Sequence, residues 1–173
     1  MKKLIVLCSL ISFSACSTTY YRDETAETVD MNRFMGKWYV IAHIPTFLEK
    51  GAYNATETYS LKKNGKIDID FRFNKDGFDG ELKKIPQTGW VFDETTKAHW
   101  KVRPFWPLKF DYLVHYVSDN HDVTMIGVPK HNYLWFMSKT PELDSVERAK
   151  MEEMAEALGY DLNELIEIPQ KWN

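Results

Sequence analysis

Cysteine is nearly absent. The 173-residue chain has two, Cys8 and Cys16, which allows at most one disulfide and excludes a disulfide-dense scaffold. Proline and glycine number only 7 and 8, too few for a collagen-like or low-complexity chain. No apolar run reaches transmembrane length. The stretch from Leu4 to Phe13 covers about ten positions, half of what a spanning helix needs. There is no excess of one charge either. The 22 basic and 25 acidic residues give a net charge of −3, which argues against a globally basic nucleic-acid binder. At 44% hydrophobic and 27% charged, the composition is that of a folded chain rather than a disordered one. Its length suits one domain, or two very small ones.

The chain begins with an address. Met1-Lys2-Lys3 is positively charged, the apolar stretch follows, and Ser14-Ala15-Cys16 are small. That order is the pattern of a cleaved export signal. Phe13-Ser14-Ala15-Cys16 resembles the bacterial lipobox, whose cysteine is diacylated and becomes the mature N-terminus; leucine is usual where Phe13 stands. The resemblance implies a lipoprotein signal peptide over residues 1–15, lipidation at Cys16 and a lipidated tether over 16–29. Acyl chains then supply the membrane anchor, at about 0.8 kcal/mol per buried methylene, and no basic patch is required. Ser17 stands where an aspartate usually marks inner-membrane retention, so the same resemblance implies the outer membrane. An ordinary secretory signal with a nearby cut is the alternative. On the lipoprotein reading Cys8 is removed and Cys16 is acylated. The folded part, residues 30–173, then has no disulfide, cysteine nucleophile or thiolate metal site.

The body of the chain alternates. Lys66-Ile67-Asp68-Ile69-Asp70-Phe71-Arg72-Phe73 puts apolar side chains on one face and charges on the other, just after a turn at Asn64-Gly65. Further strands are expected at 38–42, 53–61, 81–92, 99–103, 112–117, 123–128 and 133–138, separated by short turns. Eight strands at this spacing predict an all-β, up-and-down antiparallel barrel or sandwich. One helix follows. Asp144 and Glu147 are spaced as a capping box, Met151, Met154, Ala155 and Leu158 share one helical face, and Gly159 is a stop. Residues 162–168 allow one more short strand.

Asn32-Arg33-Phe34-Met35-Gly36-Lys37-Trp38-Tyr39 opens the first strand, and Tyr133-Leu134-Trp135-Phe136-Met137-Ser138-Lys139-Thr140-Pro141 contains the last strand of the meander. A G-x-W segment at that place, with Tyr59-Ser60-Leu61 and Phe105-Trp106-Pro107, resembles bacterial, apolipoprotein D-like lipocalins over residues 30 to 170. The resemblance implies an eight-stranded antiparallel β-barrel with one C-terminal α-helix packed outside. Its base would be built from Gly36, Trp38 and Lys139. Lys139 stands where the family usually has arginine, so any contact with Trp38 is a cation–π contact without guanidinium stacking. The family's middle motif is not readable around Tyr112 to Asp122.

The subfamily implies a fatty acid or lysophospholipid in the barrel, for envelope lipid storage, transport or repair. It implies binding without chemistry and without a cofactor. If the apolar phases face inward, the lining includes Tyr59, Leu61, Ile69, Phe71, Trp90, Trp100, Val102, Tyr112, Val114, Tyr116 and Trp135. The same residues serve equally well to fill a core. Glu57 shares their phase, so strict alternation sends a carboxyl group inward as a headgroup anchor, whereas a bulge would turn it to water. Phe105, Trp106 and Lys109 lie in a loop expected at the mouth, where Lys109 and Lys130 would meet a phosphate or carboxylate. The same loop reads equally as a self-packed cover or a dimer patch.

Two other readings stand beside this one. One is a filled-barrel structural or partner-binding envelope module. The other is a lipid-modifying enzyme, for which the sequence offers no G-x-S-x-G elbow. His43, His99, His115, His121 and His131 show no tight metal spacing, although a turn could bring His115 and His121 together. A histidine-ligated tetrapyrrole is a variant of the ligand-binding reading.

Overall fold

The computed structural model describes residues 21–172; the leader, Cys16 and the start of the tether lie outside them. A short helix α1 (Met31–Phe34) leads into eight strands: β1 (Gly36–Ile44), β2 (Ala52–Leu61), β3 (Lys66–Lys75), β4 (Leu82–Val91), β5 (His99–Arg103), β6 (Phe110–Val117), β7 (Val123–Gly127) and β8 (Leu134–Ser138). Helix α2 (Ser145–Leu158) and a two-residue strand β9 (Ile166–Glu167) follow. Each strand pairs antiparallel with the next, β8 returns to β1, and β1 pairs β2 from Gly36 opposite Tyr59 to Tyr39 opposite Thr56. The sheet is therefore a closed barrel, which removes exposed edges. The far half of β1 pairs β9 through Ala42 and His43.

Strand phase decides what lies inside. Ile67, Ile69, Phe71 and Phe73 are all buried on β3, and residues opposite one another across a ladder share a face. Glu57 stands opposite Phe71 and Tyr59 opposite Ile69, so both point inward. Two expected lining residues do not. Trp90 stands opposite Lys66 and Lys101, on the outer wall, because Gly89 and Val91 hold the inward phase. Tyr116 is also outside. The ladder slips by one residue between Val114 and Tyr116, and that bulge turns every later side chain of β6 over. Val114 packs in the interior, while Tyr116 packs with the helix and donates its hydroxyl to Glu147 Oε2 at 2.9 Å.

One end of the barrel is filled. Phe34, Trp38, Tyr59 and Trp100 interlock there, with Phe34 ring centroids 5.1, 5.3 and 5.3 Å from the other three. Trp38 Nε1 donates to the Phe34 carbonyl at 2.8 Å. Lys139 Nζ sits 4.0 Å from the Trp38 ring and donates to the carbonyls of Phe34 and Met35, at 3.2 and 2.8 Å. Those carbonyls lie at the C-terminal end of α1, where a cation is favoured. Partial burial lowers the Lys139 amine to about 8. Gly36 takes a positive φ of 100°, and a side chain there would approach Lys139 Nζ.

Helix α2 covers the outside. The Asp144 carboxylate accepts from the backbone N–H groups of Val146 and Glu147 at 2.8 and 3.4 Å, and Gly159 ends the helix in the left-handed region. Met151 and Ala155 pack with Ala42, Ile44, Met125, Leu134 and Phe136. Residues 162–168 hold a single 3₁₀ turn, Leu162–Glu164, before β9. The part of the expected tether that is described lies against the barrel. Arg22 pairs with Asp93 at 2.7 Å, Val29 is buried, and Ala26 N–H donates to the Val114 carbonyl at 2.9 Å. Lys139→Met removes two charge-assisted hydrogen bonds and a cation–π contact, and is expected to cost about 2 kcal/mol in urea unfolding. Lys139→Arg should retain most of that stability, and equal losses in the two variants would contradict the assigned role.

Candidate functional site

Above the filled end the barrel is hollow. A cavity of about 140 Å³ opens between the loops after β1, β5 and β7. Phe71 on β3, Ile85 on β4 and Val102 on β5 form apolar walls, with Tyr112 on β6 and Trp135 on β8 opposite them. Phe47, Leu48, Phe105 and Leu108 line it toward the mouth. Phe47 is 73% exposed and Phe105 49%, so the rim presents apolar surface to solvent.

Three carboxyl groups, Glu49, Glu57 and Asp111, break the apolar lining. Glu57 is only 5% exposed. Its Oε2 accepts from the Tyr59 hydroxyl at 2.7 Å, and the Tyr112 hydroxyl, 3.4 Å from the same oxygen, bonds the Tyr59 hydroxyl. Burial pushes the Glu57 carboxyl up to about 7; the Tyr59 hydrogen bond opposes that rise and the charge of Glu49 adds to it. Burial and the charge of Glu57 push both phenols well above their ordinary value of 10. Glu49, from the β1–β2 loop, is fully engaged: it accepts from Thr46 Oγ1 at 2.9 Å and Trp135 Nε1 at 2.9 Å, and pairs with His43 Nδ1 at 3.2 Å.

The expected lining therefore divides into three sets. Glu57, Phe71, Val102, Tyr112, Trp135 and the rim residue Phe105 meet at the cavity. Tyr59, Trp100, Val114 and Ile69 point inward but belong to the packed core beside and below it, and Leu61 is 46% exposed. Trp90 and Tyr116 are on the outer wall. The expected basic rim is not formed. Lys109 Nζ lies 5.3 Å from the Trp90 ring, and neither it nor Lys130 lines the cavity. Trp106 is 82% exposed and does not line it either. Leu108 and Phe110 join the lining from the loop expected at the mouth, whereas Glu49 and Ile85 line it without having been singled out. For Ile85 the signal existed, since it falls opposite Phe71 once the hairpin register is known.

None of the five histidines lines the cavity. His115 bonds Tyr160 at 2.8 Å on the outer wall, whereas His121 sits in the β6–β7 turn against the Asp119 carbonyl. The bulged strand carries them to separate places. No cluster of three or more potential metal ligands occurs among the described residues.

The buried carboxyl gives stability a pH dependence. Below the ordinary Glu value of 4.5 both folded and unfolded chains carry the proton. As pH rises from 4.5 to about 7 the unfolded chain releases it while the folded chain keeps it. Stability therefore falls over that window, by about 3 kcal/mol, and the loss is complete above it. Glu57→Gln should remove this slope and raise stability at about pH 8, read by urea unfolding across pH 4 to 8. An unchanged slope would show that the carboxyl is not buried.

Residues 29–170 match the lipocalin-like domain. The outer membrane lipoprotein Blc of Vibrio cholerae is 26% identical over 168 residues, covering 96% of this chain and 97% of that one. Blc of Escherichia coli K12 is 28% identical, over 82% of this chain and 79% of its own. Apolipoprotein D of Macaca fascicularis is 31% identical over 69% of this chain and 65% of its own. Among solved structures, lobster apocrustacyanin A1 superposes with a TM-score of 0.67 at 13% identity, covering 83% of this chain and 81% of that one. The closed barrel, its G-x-W base and these matches together place the chain in the lipocalin family.

Proposed function

We propose that the protein is a lipid-anchored lipocalin of the outer membrane that carries one fatty acid or lysophospholipid in its barrel. The observation that carries this reading is the apolar cavity, closed below by aromatic packing and open above through an apolar rim. Such a shape buries an elongated apolar group at about 25 cal/mol per Å² and leaves the rest of the molecule at the mouth. The anchoring rests on the lipobox at Cys16 and on relatives named as outer membrane lipoproteins. The reading is one of binding without chemistry. The groups at the cavity floor support it, because phenols held well above 10 are poor nucleophiles at neutral pH.

Filling the cavity tests this. Ile85 faces Phe71 across the β3–β4 ladder and is only partly buried, so Ile85→Trp extends into the hollow without displacing the packed end. Native mass spectrometry after incubation with membrane lipid extract should show one lipid per wild-type chain. Ile85→Trp should retain at least about tenfold less at unchanged thermal stability. Absence of lipid on the wild type, or equal retention by both, would overturn the reading in favour of a filled-barrel partner-binding module.

A further inference from the structure

We propose that the floor of the cavity is a subsite for a protonated amine, so that the ligand enters with an ammonium group toward Glu57 and its apolar body toward the mouth. The inference rests on the apolar cavity of the reading above and goes beyond its ligand: a fatty acid or lysophospholipid leaves its headgroup at the mouth, whereas an alkylamine inserts its charged end.

The charges around the cavity point one way. Three acids line it, Glu49, Glu57 and Asp111, and no lysine, arginine or histidine does so among the described residues. Two of the three have polar partners behind them. Asp111 pairs with Lys101 and with His99, and Glu49 pairs with His43 at 3.2 Å. Glu57 has only phenols beside it, and both lie at the same oxygen, Oε2. Its Oε1 receives no hydrogen bond from any described residue, in a side chain that is buried and lines the cavity. A buried carboxyl with no basic partner is costly to keep ionised. A cationic donor at Oε1 compensates both charge and hydrogen bond.

The walls suit the same group. Tyr112 stacks on both Trp100 (5.7 Å, 17°) and Trp135 (6.2 Å, 27°), and Trp135 lines the cavity beside the acid. Aromatic faces next to a carboxyl group recognise ammonium ions, through cation–π attraction added to the ion pair. Burial pushes the Glu57 carboxyl up to about 7, with Glu49 adding to the rise; an ammonium at Oε1 opposes both effects. A ligand carboxylate or phosphate at that depth meets Glu57 and Glu49 with no cation to receive it. An alcohol satisfies Oε1 but leaves the charge uncompensated.

Three probes of equal chain length separate these cases: dodecylammonium, dodecanoate and dodecanol, titrated calorimetrically into the purified protein at about pH 7.5. Dodecylammonium should bind at least about tenfold more tightly than dodecanoate, with dodecanol between them. Glu57→Gln should bring the amine and the acid to within about threefold of each other, which separates the subsite from a general attraction of cations to an acidic protein. Dodecanoate binding as tightly as the amine, or a tenfold preference that survives Glu57→Gln, would overturn the subsite. Equal binding of all three probes would overturn it while leaving the lipid-pocket reading intact. Failure of all three to bind would overturn both.

Discussion

The β1–β2 ladder is the contact on which the rest of the structure depends. With Gly36 opposite Tyr59 and Trp38 opposite Glu57, it closes the sheet and gives it a single interior that every second side chain must either fill or leave hollow. At the Gly36 end the interior is filled by Trp38, Phe34, Tyr59 and Trp100, and Lys139 seals them by satisfying carbonyls at the end of α1. Beside Glu57, Phe71 on β3, Ile85 on β4 and Val102 on β5 line a hollow, with Phe73 packed against Phe71. The cavity is what remains. Its depth is set by the Tyr59–Tyr112 contact with Glu57, the boundary between packed and open halves.

That boundary is a point of cost. A carboxyl group in an apolar interior lowers stability at neutral pH, and a glutamine or an aliphatic side chain of similar size would pack at least as well. Keeping the acid there is consistent with a role in what enters the barrel. The linked hydroxyls of the two tyrosines hold it in place at one oxygen, which leaves the other presented to the cavity. Local packing and ligand recognition are therefore linked at one residue.

Much of this was legible in the sequence, for a physical reason. A strand with one face in the core and one in water must alternate, and β3 does so without interruption, so its face assignments hold at every position. The G-x-W segment and the amphipathic helix were equally plain, and Glu57 pointed inward as strict alternation required. Alternation fails where the backbone breaks the period. One extra residue near His115 turned Tyr116 outward, and the phase of β4 is held by Gly89 and Val91, so the larger Trp90 lies on the outer wall. The acidic character of the pocket was hidden for another reason. Glu49 arrives from a loop, and no periodicity says where a loop side chain points; the same applies to Lys109, which folds back over Trp90 instead of guarding the mouth.

The division of the barrel into a packed half and a hollow half is the centre of this account, and intermolecular nuclear Overhauser effects from a bound acyl chain test it most directly. Contacts should appear from the chain to the methyl groups of Val102 and Ile85 and to the ring of Phe71, with none to Ile67, Val114 or the Trp100 indole. Contacts to Val114 and Trp100 would show that the packed half opens to ligand. Contacts to Trp90 and Tyr116 would place the lipid on the outer wall, and either result would contradict the account.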